Sequence, residues 1–392
     1  MSEKLFRPAD LGPIRLRNRI IKAATYETLA AGGLVTDALI DWHREVAEGG
    51  AAMTTLAYCS VSADGRTFAD QIWMRDEALP GLQRFTAAMR DAGACTAVQL
   101  SHAGWFAVPR VTGQRPLGPS ATFSPHGQTF SRAMTTSDLE RVTEDFARAA
   151  RLAVAADFDA LEIHMGHGYL LSQFLSPYNN RRRDEWGGSL VQRARFPRQV
   201  IQAVRGEVGR KVAVYAKLNM NDGFRGGLTL AEGVEVARLL EEDGYLDALQ
   251  LTGGHTTRSP MFLMRGVTPR RQLFEGYSNL LQRWVYRAAA RVLIRDYPFE
   301  EAFFLREARR FRSAVRLPLM LLGGVNRLET MTKAVAEGFD WMALGRALIR
   351  RPDLVRRMMA GEALDSDCNH CNLCMARVGF EPTRCALREG ES

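Results

Sequence analysis

The sequence predicts an α/β fold, a (β/α)8 TIM barrel with long active-site loops and a C-terminal cysteine-rich segment. Eight short apolar runs rich in β-forming residues recur along the 392-residue chain, and helical patterns separate them. Such an alternation gives a parallel sheet. Nothing in it marks the reversal of strand order that an open, doubly wound sheet requires, so we expect the sheet to close into a barrel.

The predicted strands are short apolar runs. They are Arg19–Ala24, Ala52–Tyr58, Thr96–His102, Ala160–Met165, Val212–Asn219, Asp247–Gly253, Leu317–Gly323 and Trp341–Arg346. The run Val212–Asn219 is almost continuously apolar, which suits a strand buried on both faces. No Gly-x-Gly-x-x-Gly motif opens a helix after a strand, and this argues against a dinucleotide-binding Rossmann domain.

The predicted helices carry apolar residues at spacings of three and four. They are Asp37–Ala47, Thr136–Ala155, Gln192–Val204, Leu230–Glu241 and Glu329–Ala336. Residues 103–135 and 255–300 are long for barrel loops, so we expect them to pass over an active-site face. We predict two parts, a barrel over residues 1–365 and a four-cysteine segment over residues 366–392 that packs on it.

The composition, 46% hydrophobic and 24% charged, is that of an ordinary globular protein. No apolar run approaches eighteen residues, and four of the first ten residues are charged where a signal peptide would be apolar, so we expect a cytoplasmic protein that binds no membrane. The formal charge is +8, but acidic residues lie among the arginines and the sequence has no basic stripe interleaved with aromatic residues. We therefore expect no nucleic-acid binding.

Four of the six cysteines, Cys368, Cys371, Cys374 and Cys385, lie within the last 25 residues. A disulfide framework is typical of small secreted chains, so this cluster points to metal or redox chemistry. The spacing of the first three resembles that of a ferredoxin.

Barrel enzymes hold their reactive groups at the C-terminal ends of the strands. Polar or glycine residues lie near or just after that end of five of the predicted strands. They are Gln99, the group His164, His167 and Tyr169, Lys217, the pair Gly323 and Gly324, and the pair Gly345 and Arg346.

Three motifs of the sequence resemble those of the Old Yellow Enzyme family of FMN-dependent oxidoreductases. The motifs are Leu16–Ile21, Gln99–Gly104 and Glu162–Pro177, and similar sequences continue through Asn180–Arg182, Asp184–Ser189 and Arg193–Phe196. The resemblance extends from Leu5 to the C-terminal cysteines. It is weakest from about Thr256 to Arg316.

The resemblance implies bound FMN, NAD(P)H as reductant, and hydride transfer from flavin N5 to an α,β-unsaturated carbonyl substrate. It assigns Gln99 to the flavin pyrimidine edge and Lys217 to a cation near flavin N1 and O2. His164 and His167 are similar to the pair that donates to the substrate carbonyl oxygen, where two N–H groups would stabilise enolate-like charge. Tyr169 is similar to the residue that protonates the α-carbon.

The resemblance further assigns Gly323, Gly324, Gly345 and Arg346 to the FMN phosphate, which backbone N–H groups and an arginine would bind. The segment comprising Ala23, Ala24, Thr25 and Tyr26 aligns with the first-strand residues that touch the flavin. Tyr26 stands where a threonine, cysteine or histidine is common, and Ala24 replaces a common proline. Both departures leave the flavin potential and the width of the pocket open.

The cysteine motif resembles that of the 2,4-dienoyl-CoA reductase and trimethylamine dehydrogenase branch, in which a [4Fe–4S] cluster relays electrons to or from FMN. Three readings stay open for these cysteines: a [4Fe–4S] cluster, a structural zinc, or no metal. With a cluster, an electron-transfer protein becomes a partner. A homo-oligomer is a further expectation.

We therefore predict an ene-reductase acting on an enone-type small molecule. The alternative reaction is oxidative, of the amine-dehydrogenase or demethylase type, with export of single electrons. A sensor without catalytic activity is a third reading, but it would have no need of an oxygen clamp and a proton donor.

Overall fold

A computed structural model describes residues 3–275, 283–284 and 294–389. Its centre is a closed barrel of eight parallel strands, as predicted. The strands are β1 (Ile20–Lys22), β2 (Met53–Ser60), β3 (Cys95–Ser101), β4 (Ala160–Met165), β5 (Ala213–Asn219), β6 (Ala248–Thr252), β7 (Leu319–Leu322) and β8 (Trp341–Leu344). Strand β8 pairs with β1 and closes the barrel.

Seven helices of eight or more residues surround the strands in the described part of the chain. They are α1 (Asp37–Glu48), α2 (Leu79–Asp91), α3 (Thr136–Ala155), α4 (Leu190–Val208), α5 (Leu230–Asp243), α6 (Leu305–Arg312) and α7 (Leu328–Ala336). Helices α3, α4 and α5 begin with capping boxes at Thr135, Ser189 and Thr229, which satisfy backbone N–H groups in the first turn. Five of the seven follow the predicted pattern, α6 contains the run Arg306–Arg310 that the sequence also indicates as helical, and α2 was not predicted.

Shorter elements connect these or lie at the mouth. The short helices are Glu3–Phe6, Pro109–Thr112, Leu170–Leu175, Pro260–Leu263, Arg346–Arg350, Leu354–Met359, Leu373–Ala376 and Ala386–Glu389. The short strand pairs are Ala9–Leu11 with Ile14–Leu16, Leu117–Gly118 with Arg132–Ala133, and Phe123–Ser124 with Thr129–Phe130. Of the predicted loop 255–300, residues 276–282 and 285–293 lie outside the described residues.

Several strands end earlier than the apolar runs predict, because the chain turns at the barrel mouth. β7 ends at Leu322, and Gly323 then adopts a positive φ of +115° that a strand cannot continue. β8 ends at Leu344, before Gly345 and Arg346. The residues that leave the strands are therefore the ones available to a ligand at the mouth.

The C-terminal segment from residue 366 lies across the barrel mouth. Its Thr383 donates a backbone N–H to Glu27 O at 2.8 Å and a hydroxyl to Tyr26 O at 2.8 Å, which joins it to the segment after β1. At the other side, the ring of His370 stacks on Phe299. No helix among the described residues has both the length and the apolar character needed to span a membrane.

Candidate active site

A cavity of about 370 Å³ opens at the C-terminal ends of the barrel strands. This volume lies in the range of small-molecule and cofactor sites, roughly 300 to 1,000 Å³. Every residue that the sequence predicted as catalytic or cofactor-binding lines the cavity, namely Ala23, Ala24, Thr25, Tyr26, Gln99, His164, His167, Tyr169, Lys217, Gly323, Gly324, Gly345 and Arg346. The four cysteines are described by the structure and do not belong to the lining.

A fully buried carboxylate, Glu162 of β4, fixes two of these residues. Its Oε1 accepts a hydrogen bond from Gln99 Nε2 at 2.7 Å and pairs with Lys217 Nζ at 2.7 Å. Its Oε2 accepts from the Tyr215 hydroxyl at 3.1 Å. The strand register causes this convergence, because Glu162 lies beside Gln99 of β3 and Tyr215 of β5. A buried ion pair is tolerated where further hydrogen bonds satisfy its charges, as they do here.

The two histidines present different ring nitrogens to the cavity. The Nδ1 of His164 accepts the backbone N–H of Gly166 at 3.3 Å, so the neutral ring carries its proton on Nε2. The Nε2 of His167 lies 2.8 Å from the hydroxyl oxygen of Thr252. With that hydroxyl donating, His167 carries its proton on Nδ1. Each ring thus keeps one N–H for a ligand, and the ring centroids lie 5.1 Å apart.

Both histidines are neutral at ordinary pH. Burial lowers the pKa of His167 to about 3, with Lys217 adding to the effect. Burial also lowers the pKa of His164 well below its usual value, and His167 and Lys217 act in the same direction. Two neutral imidazole rings can each donate an N–H hydrogen bond to a ligand oxygen and so stabilise negative charge on it, without first having to lose the extra proton of a charged imidazolium.

Aromatic rings form the wall beside the histidines. Tyr169 meets Tyr58 edge to face at 5.2 Å and Phe106 at 5.7 Å, measured between ring centroids. Tyr26 stacks on Phe68 at 4.9 Å and lies 5.4 Å from Tyr58. Burial raises the pKa of Tyr169 well above its usual value, and the adjacent Tyr58 raises it further. Tyr169 is therefore a protonated phenol.

Glycines let the backbone approach the cavity after β7 and β8. Gly323 and Gly324 have φ values of +115° and +70°, and a Cβ on Gly324 would lie 2.5 Å from Phe303. At Gly345, no atom lies within 4 Å of the position a Cβ would take. Within the described part of the chain, the amide N–H groups of Gly324 and Gly345 have no acceptor. These amides are available to an acceptor in the cavity.

Arg346 lies beside these amides. Its guanidinium donates to Arg265 O at 2.9 Å and to the side-chain oxygen of Asn372. Burial lowers the pKa of Arg346, yet a guanidinium stays charged in proteins. No carboxylate of the described residues pairs with it. A cation without a counter-charge, next to free backbone amides, fits a phosphate group.

A second buried network, which the sequence analysis missed, supports Thr25. Lys22 Nζ lies 2.6 Å from both the Thr25 hydroxyl and Glu27 Oε1, and the Thr25 hydroxyl donates to the same carboxylate oxygen at 2.7 Å. The ring of His43 lies 3.6 Å from Glu27 Oε2. Burial alone would raise the pKa of Glu27, but Lys22 and His43 outweigh it and lower the value to about 2.

The predicted metal ligands Cys368, Cys371, Cys374 and Cys385 are free thiols. Burial raises the pKa of Cys374 to about 12, and the other three thiols act in the same direction, so the four lie in one neighbourhood. Among the described residues, no three cysteine, histidine or acidic side chains are grouped as metal ligands. The donor set suits zinc or an iron–sulfur cluster, and the metal stays a prediction.

Sequence reasoning missed Glu162, Lys22 and Tyr58. A signal was present for the first two, since each is a charged residue inside an otherwise apolar strand and therefore needs a buried partner. For Tyr58 the signal was its position at the end of the second predicted strand, because the other predicted site residues also lie at the ends of predicted strands. The C-terminal segment also adds His370, Met375 and Val378 to the cavity lining, and no sequence pattern predicts these contacts.

The chain is similar to several known proteins. The family model of the NADH:flavin oxidoreductase / NADH oxidase family matches residues 4–250. A 4,4'-dithiodibutanoate disulfide reductase of Rhodococcus erythropolis is 46% identical over 98% of this chain and 95% of its own length. A multifunctional alkene reductase/demethylase of Caballeronia cordobensis is 29% identical over 92% of this chain and 49% of its own length.

Among solved structures, a 2-naphthoyl-CoA reductase in complex with 2-naphthoyl-CoA is 25% identical and superposes with a TM-score of 0.83. The match covers 98% of this chain and 56% of that one. The chain thus spans nearly all of the disulfide reductase but about half the length of the other two proteins.

Proposed function

The chain belongs to the NADH:flavin oxidoreductase / NADH oxidase family, and from that membership we propose that it is an FMN-dependent ene-reductase. In this proposal NAD(P)H supplies a hydride that reaches the activated C=C bond of an α,β-unsaturated carbonyl compound. The observation that carries the proposal is the arrangement of His164, His167 and Tyr169 at one wall of the cavity. Enone reduction needs hydrogen-bond donors for the carbonyl oxygen and a proton for the α-carbon. The two neutral N–H groups and the protonated phenol can supply them.

The cavity residues fit FMN. The free amides of Gly324 and Gly345, with the guanidinium of Arg346, would hold the phosphate. Gln99 and Lys217 would face the flavin pyrimidine edge, where both are fixed by Glu162. Bound FMN would supply hydride transfer between NAD(P)H and the substrate.

The chain's own residues then account for the charge that hydride addition creates. His164 Nε2–H and His167 Nδ1–H would both donate to the carbonyl oxygen, where negative charge grows as the β-carbon gains hydride. Tyr169 would transfer its hydroxyl proton to the α-carbon. The buried aromatic wall would exclude water from the site during this step.

Rapid mixing with the two substrates in turn tests this proposal. We expect NAD(P)H to bleach the flavin absorbance of the purified holoenzyme and cyclohex-2-enone to restore it anaerobically, with one saturated ketone formed per flavin. Failure of the enone to reoxidise the flavin would contradict the ene-reductase assignment. Bleaching by a methylated amine, with none by NAD(P)H, would support the oxidative alternative instead.

A second candidate is reduction of a small organic disulfide. The observation in its favour is the 46% identity over nearly the whole chain with the 4,4'-dithiodibutanoate disulfide reductase. The same residues would serve, because a departing thiolate needs a proton that Tyr169 could supply. Reoxidation of the reduced enzyme by 4,4'-dithiodibutanoate, with release of two thiols, would support it. The ratio of the two reoxidation rates decides between an enone and a disulfide as the better acceptor.

For the cysteines we propose a [4Fe–4S] cluster held by Cys368, Cys371, Cys374 and Cys385. The support is that four thiols lie in one neighbourhood beside the cavity. Anaerobic purification should yield about four iron and four acid-labile sulfide per chain, and roughly that content should be lost in Cys374→Ser. Zinc in place of iron would favour a structural site, and a metal-free protein with bound FMN would contradict both.

A further inference from the structure

Tyr58 has a buried hydroxyl that nothing in the proposed mechanism uses. The residue is 8% exposed and lines the cavity. Among the described residues its hydroxyl oxygen makes no hydrogen bond of regular geometry, although the hydroxyls of Thr67 and Tyr169 lie close enough to lower its pKa. A buried hydroxyl without a partner is costly, and such groups often belong to functional sites.

The surroundings of Tyr58 place it between two other hydroxyl groups. Its ring meets the ring of Tyr169 edge to face at 5.2 Å, and the two phenols perturb each other's pKa. The hydroxyl of Thr67 is the second neighbour, because it lowers the pKa of Tyr58; it too is buried and, within the described chain, makes no hydrogen bond of regular geometry. Thr67, Tyr58 and Tyr169 therefore bring three hydroxyl-bearing side chains next to one another.

We propose that Tyr58 is a positioning residue for proton transfer, donating its hydroxyl proton to the oxygen of Tyr169 as Tyr169 gives its own proton to the substrate. This inference rests on the proposed function of Tyr169. Tyr169 alone is a poor acid, because a phenolate in its buried position would have no solvation. A second phenol that donates to the Tyr169 oxygen removes that obstacle.

The proton and electron balance of the step is complete. The alkene gains a hydride, which originates from NAD(P)H, and a proton. A C–H bond forms at the α-carbon as the O–H bond of Tyr169 breaks, and a new O–H bond on Tyr169 forms as that of Tyr58 breaks. The charge then resides on Tyr58, next to the Thr67 hydroxyl, and solvent returns one proton after product release.

Both phenols hold their protons at neutral pH. Burial raises the pKa of Tyr58 to about 12, and burial together with the neighbouring Tyr58 raises the pKa of Tyr169 well above its usual value.

The test uses the holoenzyme and the variants Tyr58→Phe and Tyr169→Phe, with Tyr178→Phe as a matched control because Tyr178 does not line the cavity. Each enzyme is reduced with NAD(P)H and mixed with cyclohex-2-enone, and flavin reoxidation is followed in H2O, D2O and their mixtures. We expect Tyr58→Phe to slow reoxidation roughly ten- to one-hundredfold, as for loss of a hydrogen bond to a charged group. Flavin content, reduction by NAD(P)H and the Tyr178→Phe control should match the wild type.

The solvent mixtures give a readout that simple structural damage would not produce. Two protons in flight predict a curved dependence of the wild-type rate on deuterium fraction, and one proton predicts a linear dependence in Tyr58→Phe. A linear or flat wild-type dependence, or equal curvature in the variant, would overturn the proposal. Should Tyr58→Phe lose FMN, Thr67→Val is the second test, since it should slow reoxidation while Tyr58 itself stays unchanged.

The role of Tyr58 and the proposed function of Tyr169 can be refuted separately. If Tyr169→Phe slows reoxidation and Tyr58→Phe does not, the role of Tyr58 is refuted and the proposed function stands. If neither variant slows it, Tyr169 is not the proton donor, and both the mechanism and this inference are refuted.

Discussion

The substitution Glu27→Gln tests the buried network behind Thr25 most directly. Glu27 and its partner Lys22 are 1% and 0% exposed, and Lys22 Nζ lies 2.6 Å from Glu27 Oε1. The change keeps the shape of the side chain but removes its charge. Lys22 is then left as a buried ammonium without a counter-charge.

Two routes give the same magnitude for this substitution. A pKa lowered from 4.5 to about 2 corresponds to roughly 3 kcal/mol of stabilisation by ionised Glu27 at neutral pH. Removing one partner of a buried ion pair costs about 3–5 kcal/mol. Because a folded domain is stable by only about 5–15 kcal/mol, we expect Glu27→Gln to lose a large part of the free energy of unfolding.

Urea unfolding followed by circular dichroism measures this loss, at equal FMN concentration for wild type and variant. The folded pKa lies below the unfolded one, so the stabilisation is fully present above about pH 4.5 and is lost as the pH falls towards 2. The difference between the two proteins should therefore be constant from pH 8 to about pH 5.5 and shrink below it.

The control is Glu235→Gln, which removes a half-exposed ion pair of 3.2 Å with Arg238 and should cost no more than about 1 kcal/mol. A Glu27→Gln loss as small as that of the control at pH 7 would refute the reasoning. So would a difference that grows on acidification, because it would mean that Glu27 is protonated in the folded protein.

Four further predictions concern the cavity. His164→Ala and His167→Ala should each weaken binding of a phenolate ligand about ten- to one-hundredfold by absorbance titration while FMN stays bound, and loss of FMN would contradict the clamp. Because the histidine pKa values are lowered, to about 3 for His167, that binding should show no histidine titration between pH 5 and 8. Thr252→Val should weaken it by a smaller factor, since His167 then no longer has its proton fixed on Nδ1; unchanged affinity would count against the assigned tautomer. Gly324→Ala should reduce FMN affinity measured by fluorescence, because a Cβ would lie 2.5 Å from Phe303 at a φ of +70°.

Gly206→Ala is the control for the glycine substitution. Gly206 lies within α4, and nothing lies within 4 Å of an added Cβ. Its FMN affinity should equal that of the wild type. An equal loss in both variants would mean that the effect at Gly324 is unrelated to the site.

The barrel was predictable because each of its strands is encoded by residues that are adjacent in the sequence. Each strand is a short apolar run, and mouth residues such as Lys217 follow from their position at the end of one. The exact strand ends were less predictable. The chain turns at the barrel mouth before Gly323 and Gly345, and the apolar runs do not show where this turn begins. Alternation along β4 places Glu162 and His164 on the same face, but nothing in a single strand tells which neighbour the carboxylate will pair with.

The contacts that complete the site depend on residues far apart in sequence. Glu162 meets Gln99 and Lys217 only through the register of three strands. Tyr58 and Tyr169 come together across the mouth, 111 positions apart in the sequence. Thr383 bonds to Tyr26 over 357 positions. Local sequence patterns do not show which distant residues will be in contact. The sequence therefore predicted the individual side chains of the cavity but not the hydrogen bonds and ring contacts that position them.

The bonds from Thr383 to Tyr26 and Glu27 have a consequence for the order in which the molecule is made. A ribosome releases all eight strands before it releases residues 366–389, so the barrel can close while His370, Met375 and Val378 are still missing from the wall of its cavity. At that stage the entrance to the cavity would be wider for a large cofactor than in the complete structure, because these three side chains are not yet in place. The bonds from Thr383 to the segment after β1 would then narrow that entrance once residues 366–389 have been synthesised.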